Sequence, residues 1–187
     1  FQARWGGAAS SRTDFALILF AGLMDFNLFS ETINRAPGLV LGNANYVKKV
    51  VFPLEILPVV SLGTALFHFS ISFLVCLLFT LLFRGIPPLT ILLLFVVLLP
   101  FFLIILGASW MLASLGVYVR DVSQVIGVFG TVPMFLSPLF YSINSLPEPY
   151  RIFMHLNPLT FIIEQARGVM IWGEGIHWLG WGLYLLI

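Results

Sequence analysis

From Leu89 to Val119 the chain carries no charged side chain, and this uninterrupted apolar run leaves very few folds open to it. A helix needs about 20 such residues to cross the hydrocarbon of a bilayer. A barrel strand would instead alternate apolar and polar over about 10 residues. Comparable runs lie at 15–33, interrupted by Asp25, Asn27 and Glu31, at 59–83 and at 122–141, and another starts near Trp178. Only 9% of side chains are charged and 60% are hydrophobic, whereas a soluble domain carries about 25% charged residues. A water-soluble core is therefore excluded, and so is a disordered chain, which needs low hydrophobicity and high net charge. The reading is an all-α, polytopic helical bundle in a membrane, a single transmembrane domain over residues 1–187. The chain begins at Phe1 and its last run is still apolar at Ile187, so it is expected to be a fragment truncated at both ends.

The net charge of +1, without clustered Lys and Arg, gives no footprint for nucleic acid. Basic residues in short loops set orientation. Arg35, Lys48 and Lys49 follow the first run and Arg120 follows the third, which places 35–58 and 120–121 in the cytoplasm. Arg84 in the 84–88 turn, and Arg151 and Arg167 among Glu148, Glu164 and Glu174, then lie outside.

Three segments between the spans carry patterns. Asn43 can cap a short helix that Pro53 ends. On it Val47, Val50 and Val51 share one face, with Asn45, Lys48 and Lys49 on the other. This fits a helix lying on the bilayer with its lysines at lipid phosphates, which pattern alone favours, or a docking helix for a soluble partner. The fourth span contains Pro133 and Pro138, expected to kink it and to free carbonyls near Phe129 and Met134, so that it faces the bundle interior. Outside, Asn157-Pro158 is a cap and first-turn pair. Leu159, Ile162, Ile163, Ala166, Val169 and Met170 then repeat at helical spacing, with Thr160, Glu164 and Arg167 assigned to the opposite face and Gly173 ending the helix. An amphipathic helix in, or dipping into, the outer interface is expected, with a shorter one at 149–156.

Chemistry of several kinds lacks its residues. No glycine-rich loop precedes a lysine. His68, His155 and His177 are too scattered for a metal site, and there are too few aspartates for a diphosphate-binding cluster. Ser109, Ala113 and Gly116 fit a small-residue packing face rather than a nucleophile site. Two ionisable groups stand inside spans and must face protein or water. For His68 a structural hydrogen bond is the expectation; Asp25 suits either a substrate path or an interhelical bond.

The stretch from Asn45-Tyr46-Val47-Lys48-Lys49-Val50 to Pro58 resembles the cytoplasmic loop of polysaccharide-exporting ABC-2 permeases. So do Gly116-Val117-Tyr118-Val119-Arg120-Asp121-Val122, the span with Pro133 and Pro138, and Leu156-Asn157-Pro158-Leu159, in one consistent order. The likeness is greatest to the exporters of O-antigen. It implies six membrane helices per subunit, about five of them present here. It also implies a homodimer with two separate ATP-binding subunits, on which ATP and Mg would sit, leaving this chain without a cofactor and without catalysis of its own. The segment Asn43–Phe52 becomes a coupling helix in a cleft of the ATPase, with Arg120 and Asp121 fixing a second cytoplasmic loop. The helix at Asn157, Pro158, Glu164 and Arg167 becomes a re-entrant helix near the exit. The expected function is outward movement of a lipid-linked polysaccharide across the bacterial inner membrane. The alternatives are an ABC-2 exporter of teichoic acid, drug or lipid, or a channel or carrier not driven by ATP.

Overall fold

A computed structural model describes residues 12–43, 53–119, 121–140 and 157–185, and every regular element among them is helical. Helix α1 (Arg12–Arg35) runs on through a 3-10 turn (Ala36–Gly38) into α2 (Leu39–Gly42). Then follow α3 (Ile56–Phe83), a 3-10 turn (Leu89–Leu93) leading into α4 (Leu94–Tyr118), α5 (Val122–Phe129) and α6 (Val132–Leu136). Helix α7 (Pro158–Arg167) continues into a wider π turn (Gly168–Trp172), and α8 (Trp178–Leu185) is the last. Three of these stretches, Thr13–Gly42, Ile56–Phe83 and Leu89–Tyr118, are long and apolar enough to cross a membrane. The protein is a multi-pass membrane protein.

Each long helix shows how the sequence divides protein-facing from lipid-facing positions. On α3 the buried residues Leu62, Ala65, Phe69, Cys76 and Thr80 form one stripe against α1, while Phe67, Leu74, Leu78 and Leu82 point away from the protein. In water that outer face would be an aggregation patch; in hydrocarbon it costs nothing. The helix stops where Gly85 takes a φ of 92° and Pro87 and Pro88 follow, which no helix can continue through. Helix α4 is central: Leu94, Val97, Leu98, Phe101, Ile105, Ser109, Ala113 and Gly116 are all buried.

Pro100 stands inside α4 and has no N–H to offer the carbonyl of Val96 four residues back. The indole Nε1 of Trp181 on α8 supplies the missing donor, at 2.9 Å. The Ser109, Ala113 and Gly116 stripe packs inward. At Gly116 the backbone of Pro37 comes so close that any Cβ would overlap it. The segment after the first span is therefore not loop from residue 35 onward: Ala36 and Pro37 are buried against α4, and helix continues to Gly42.

The fourth span is not one regular helix, as its prolines lead one to expect. It breaks at Gly130 and Thr131 into α5 and α6, and Pro133 falls in the first turn of α6, where its missing N–H would be unpaired anyway. Before Pro138, Ser137 is extended (ψ 151°), the conformation a following proline favours, and α6 ends there. The backbone stays right-handed helical through Gly130 and Thr131, so Pro133 interrupts the span early in α6 and Pro138 follows its end.

Candidate functional site at the inserted helix

Helix α7 begins as its sequence suggests. Asn157 is extended, and its side-chain oxygen accepts from the N–H of Leu159 at 3.0 Å, with Pro158 at the first helical position. The Asn157 amide nitrogen donates to the Leu136 carbonyl (3.2 Å) and to the Ser137 hydroxyl oxygen (3.1 Å), so one side chain caps α7 and closes the end of α6. The phenol of Tyr184 on α8 donates to the Pro158 carbonyl at 2.7 Å, and its ring stacks on Phe161 at 5.3 Å. At the other end, Gly173 in a left-handed conformation terminates the π turn. There Thr90 donates to the Val169 carbonyl (2.7 Å) and Arg84 to that of Ile171 (2.8 Å). Arg84 also lies 3.7 Å from Asp14 at the start of α1, so this end of the helix meets the 84–90 end of the bundle.

The helix does not lie on a surface. Leu159, Ile162, Ile163, Ala166 and Val169 are buried, and so are two residues assigned to its polar face, Thr160 and Arg167. Arg167 is completely enclosed, which corrects its placement opposite the apolar stripe. The reason is angular. Arg167 follows Ile163 by four residues and Leu159 by eight, so it flanks the apolar stripe and enters the core with it. Glu164 is half-buried, and its charge acts on Arg167.

Arg167 makes three bonds to main-chain carbonyls on two separate segments. Its Nε donates to Ile18 in α1 (3.0 Å), Nη1 to Pro138 (2.5 Å) and Nη2 to Leu139 (3.1 Å). The broken fourth span thus leaves carbonyls to satisfy, as membrane backbone must. The groups that satisfy them are Arg167, Asn157 and Ser137, whose hydroxyl donates to Pro133 at 2.5 Å. The guanidinium also sits in the field of Asp25 on α1, which is fully buried with both carboxylate oxygens outside hydrogen-bonding reach of any described group. An acid at this depth costs about 2.5–3.5 kcal/mol on insertion scales, and the buried cation offsets it. Asp25 is thus placed facing the inserted helix rather than lipid.

His68 has a partner that the sequence did not identify. Its Nδ1 lies 2.9 Å from the carboxylate of Glu31 on α1, which also holds Arg35 at 2.9 Å. A carboxylate accepts only, so Nδ1 carries the hydrogen.

At the opposite end of the bundle, Trp110 on α4 donates through Nε1 to the Glu55 carbonyl at 2.9 Å and holds the start of α3. Asn43 closes α2, its amide nitrogen donating to the Leu39 carbonyl at 2.8 Å; the helix it is expected to start lies outside the described residues. Asp121 stands at the start of α5 with its side chain exposed and making no cap bond. Asn45, Tyr46, Val47, Lys48, Lys49, Val50, Arg120 and the expected helix at 149–156 lie outside the described residues.

Comparison with known proteins completes the assignment. The sequence profile of the ABC-2 type transporter family matches residues 1–171. The chain is 22% identical over 165 residues to the O-antigen export system permease protein RfbA of Klebsiella pneumoniae, covering 86% of this chain and 62% of that protein. It is 22% identical over 158 residues to the protein of the same name from Myxococcus xanthus, covering 83% and 61%. The chain thus spans somewhat less than two thirds of the length of these relatives. A bundle of apolar spans, a short helix inserted among them, and a family match over almost the whole sequence lead to one conclusion: the chain belongs to the ABC-2 type transporter family.

Proposed function

We propose that this chain is the membrane permease part of an exporter that moves a lipid-linked polysaccharide of the O-antigen kind outward across the bacterial inner membrane. The observation that carries this reading is the similarity, over more than four fifths of the chain, to relatives named O-antigen export permeases. Two copies of the chain would pair, and two separate ATP-binding subunits would drive them, with ATP and Mg held there. The coupling segment at 43–52 would transmit the ATPase motion, with Lys48 and Lys49 meeting acidic groups on that subunit, while Arg120 and Asp121 fix the neighbouring loop. The broken segment at Pro133 and Pro138, held by Arg167 and Asn157, would form part of the exit. The buried contacts of α7 support a gate made of packed helix over a loose lid.

The test is a pull-down of the full-length protein from membranes, comparing the wild type with Lys48→Glu/Lys49→Glu. The expected result is an ATPase subunit that copurifies with wild type and is lost with the double change, together with loss of surface polysaccharide. No copurifying ATPase with the wild type would sink the proposal.

A further inference from the structure

A cavity of about 330 Å³ opens between α1 and α3, near the lower end of the range for small-molecule sites. Its polar wall is made of Asn27, Ser30 and Glu31 on α1 and of His68 and Ser72 on α3. On α1 Asn27 is three and four residues from Ser30 and Glu31, and on α3 His68 is four from Ser72, so the groups line the groove in successive turns. Met24, Leu28, Ala65 and Phe69 form its apolar floor.

The depth of the groove makes its exposure informative. His68 follows Ile56 by 12 residues and precedes Phe83 by 15, placing it roughly 18 and 22 Å from the two ends of α3. An imidazole cannot reach the interface from there. Yet the His68 side chain is 50% exposed and that of Glu31 is 21% exposed. A hydrogen-bonded polar pair open at mid-membrane must meet water or polar matter.

The bonding capacity left in the groove defines what it can hold. Glu31 accepts from His68 and Arg35, which leaves part of its capacity unused. Asn27 is exposed and its amide makes no bond among the described residues. Ser30 accepts from Asn34 and keeps its own proton; Ser72 gives its proton to the His68 carbonyl and keeps its lone pairs. Donors and acceptors alternate, and Glu31 and Arg35 cancel in charge. A phosphate offers acceptors only and would meet the Glu31 carboxylate. A vicinal diol both donates and accepts, and is neutral.

Resting on the export reading above, we infer that this groove faces the water-filled transport path and binds the hydroxyl groups of neutral sugar units in the passing glycan. Asn27 and Ser72 supply the direct contacts, and the Glu31–His68 pair holds the two helices at the spacing that a sugar ring needs.

The experiment uses the full-length transporter with its ATPase in cells, with the buried Cys76 replaced by Ala. Asn27→Cys and Ser72→Cys are probed with a membrane-impermeant methanethiosulfonate, with Leu74→Cys on the lipid face of α3 as control. Each is compared in cells making the lipid-linked glycan and in cells blocked in its first sugar transfer. The expected result is labelling at positions 27 and 72, slowed fivefold or more when glycan is present, and none at 74. In parallel, Asn27→Leu should lower export about tenfold with unchanged protein level and unchanged ATPase copurification. Positions 27 and 72 as inert as 74 would overturn the inference, as would labelling indifferent to glycan. A wild-type transporter that exports no glycan would overturn the export reading, and this assignment with it.

Discussion

The guanidinium of Arg167 lies directly against Gly22, where a Cβ on α1 would overlap its Nη2. Bound to Ile18, Pro138 and Leu139, the guanidinium has no room to withdraw. Gly22 is thus the residue that lets a cation enter the core beside Asp25, one turn further along α1.

Removal of that cation strands both the acid and the carbonyls. Breaking a buried pair by deleting one partner costs about 3–5 kcal/mol, and Arg167→Met is expected to fall in that range. Arg167→Lys should recover little, because one ammonium cannot reproduce a fork that reaches three acceptors. Adding Asp25→Asn to Arg167→Met should restore part of the loss. A thermal-unfolding cycle of the four proteins in detergent measures this; additive single effects would show that the two charges are not coupled.

Trp181 and Pro100 make a complementary pair. Trp181→Phe leaves the part-buried Val96 carbonyl without a donor inside an apolar span, a cost of about 1–3 kcal/mol. Pro100→Ala returns a backbone N–H to that carbonyl. The double variant Trp181→Phe/Pro100→Ala should therefore unfold at a higher temperature than Trp181→Phe alone. If it unfolds lower, Trp181 is not compensating for the proline.

Gly116→Ala should destabilise, because the new methyl meets the backbone of Pro37, which cannot rotate aside. Overpacking of this kind costs about 1–3 kcal/mol. Gly63→Ala and Gly107→Ala, which project into open space, should leave the melting temperature unchanged or raised. Equal behaviour of all three variants would contradict the close approach.

Asn157 has two separable roles. Asn157→Asp keeps the acceptor that caps α7 and loses the donors to Leu136 and Ser137; Asn157→Ala loses both. Cap loss alone costs about 0.5–2 kcal/mol, so alanine should be the more harmful of the two. Hydrogen exchange at Leu159 and Thr160 would report it: faster in the alanine variant, near wild type in the aspartate variant.

What could be read in advance followed from local rules. The long apolar runs and the Asn157-Pro158 start announce helices, because span length and capping depend on neighbours in sequence. The small-residue stripe through Gly116 announced close packing, though not that Pro37 would be the partner. Residue type assigns Arg167 to the polar face of α7, whereas helical angle sets it beside the apolar stripe; its side chain is satisfied by carbonyls distant in sequence, which no local pattern records. Pro133 and Pro138 announce that the fourth span is interrupted; that the irregular turn falls at Gly130 and Thr131, and that α6 ends at Ser137, depends on packing the prolines do not encode. The Glu31–His68 contact joins different helices and follows only from how α1 and α3 pack. Both members are ionisable side chains within spans, and the cost of placing such groups in a bilayer is the signal that finds them.

The arginine that holds the inserted helix also sets an order of events during synthesis. It is 149 residues from its acceptor Ile18, which at about 5–20 residues per second is a delay of roughly 7–30 s. Throughout that interval the first span is already made, and Asp25 must be tolerated in the membrane, or shielded by the insertion machinery, without the charge that later faces it. A helix translated later is therefore what makes the earlier α1 stable where it sits, and a chain released before residue 167 would leave an acidic span that quality control can recognise.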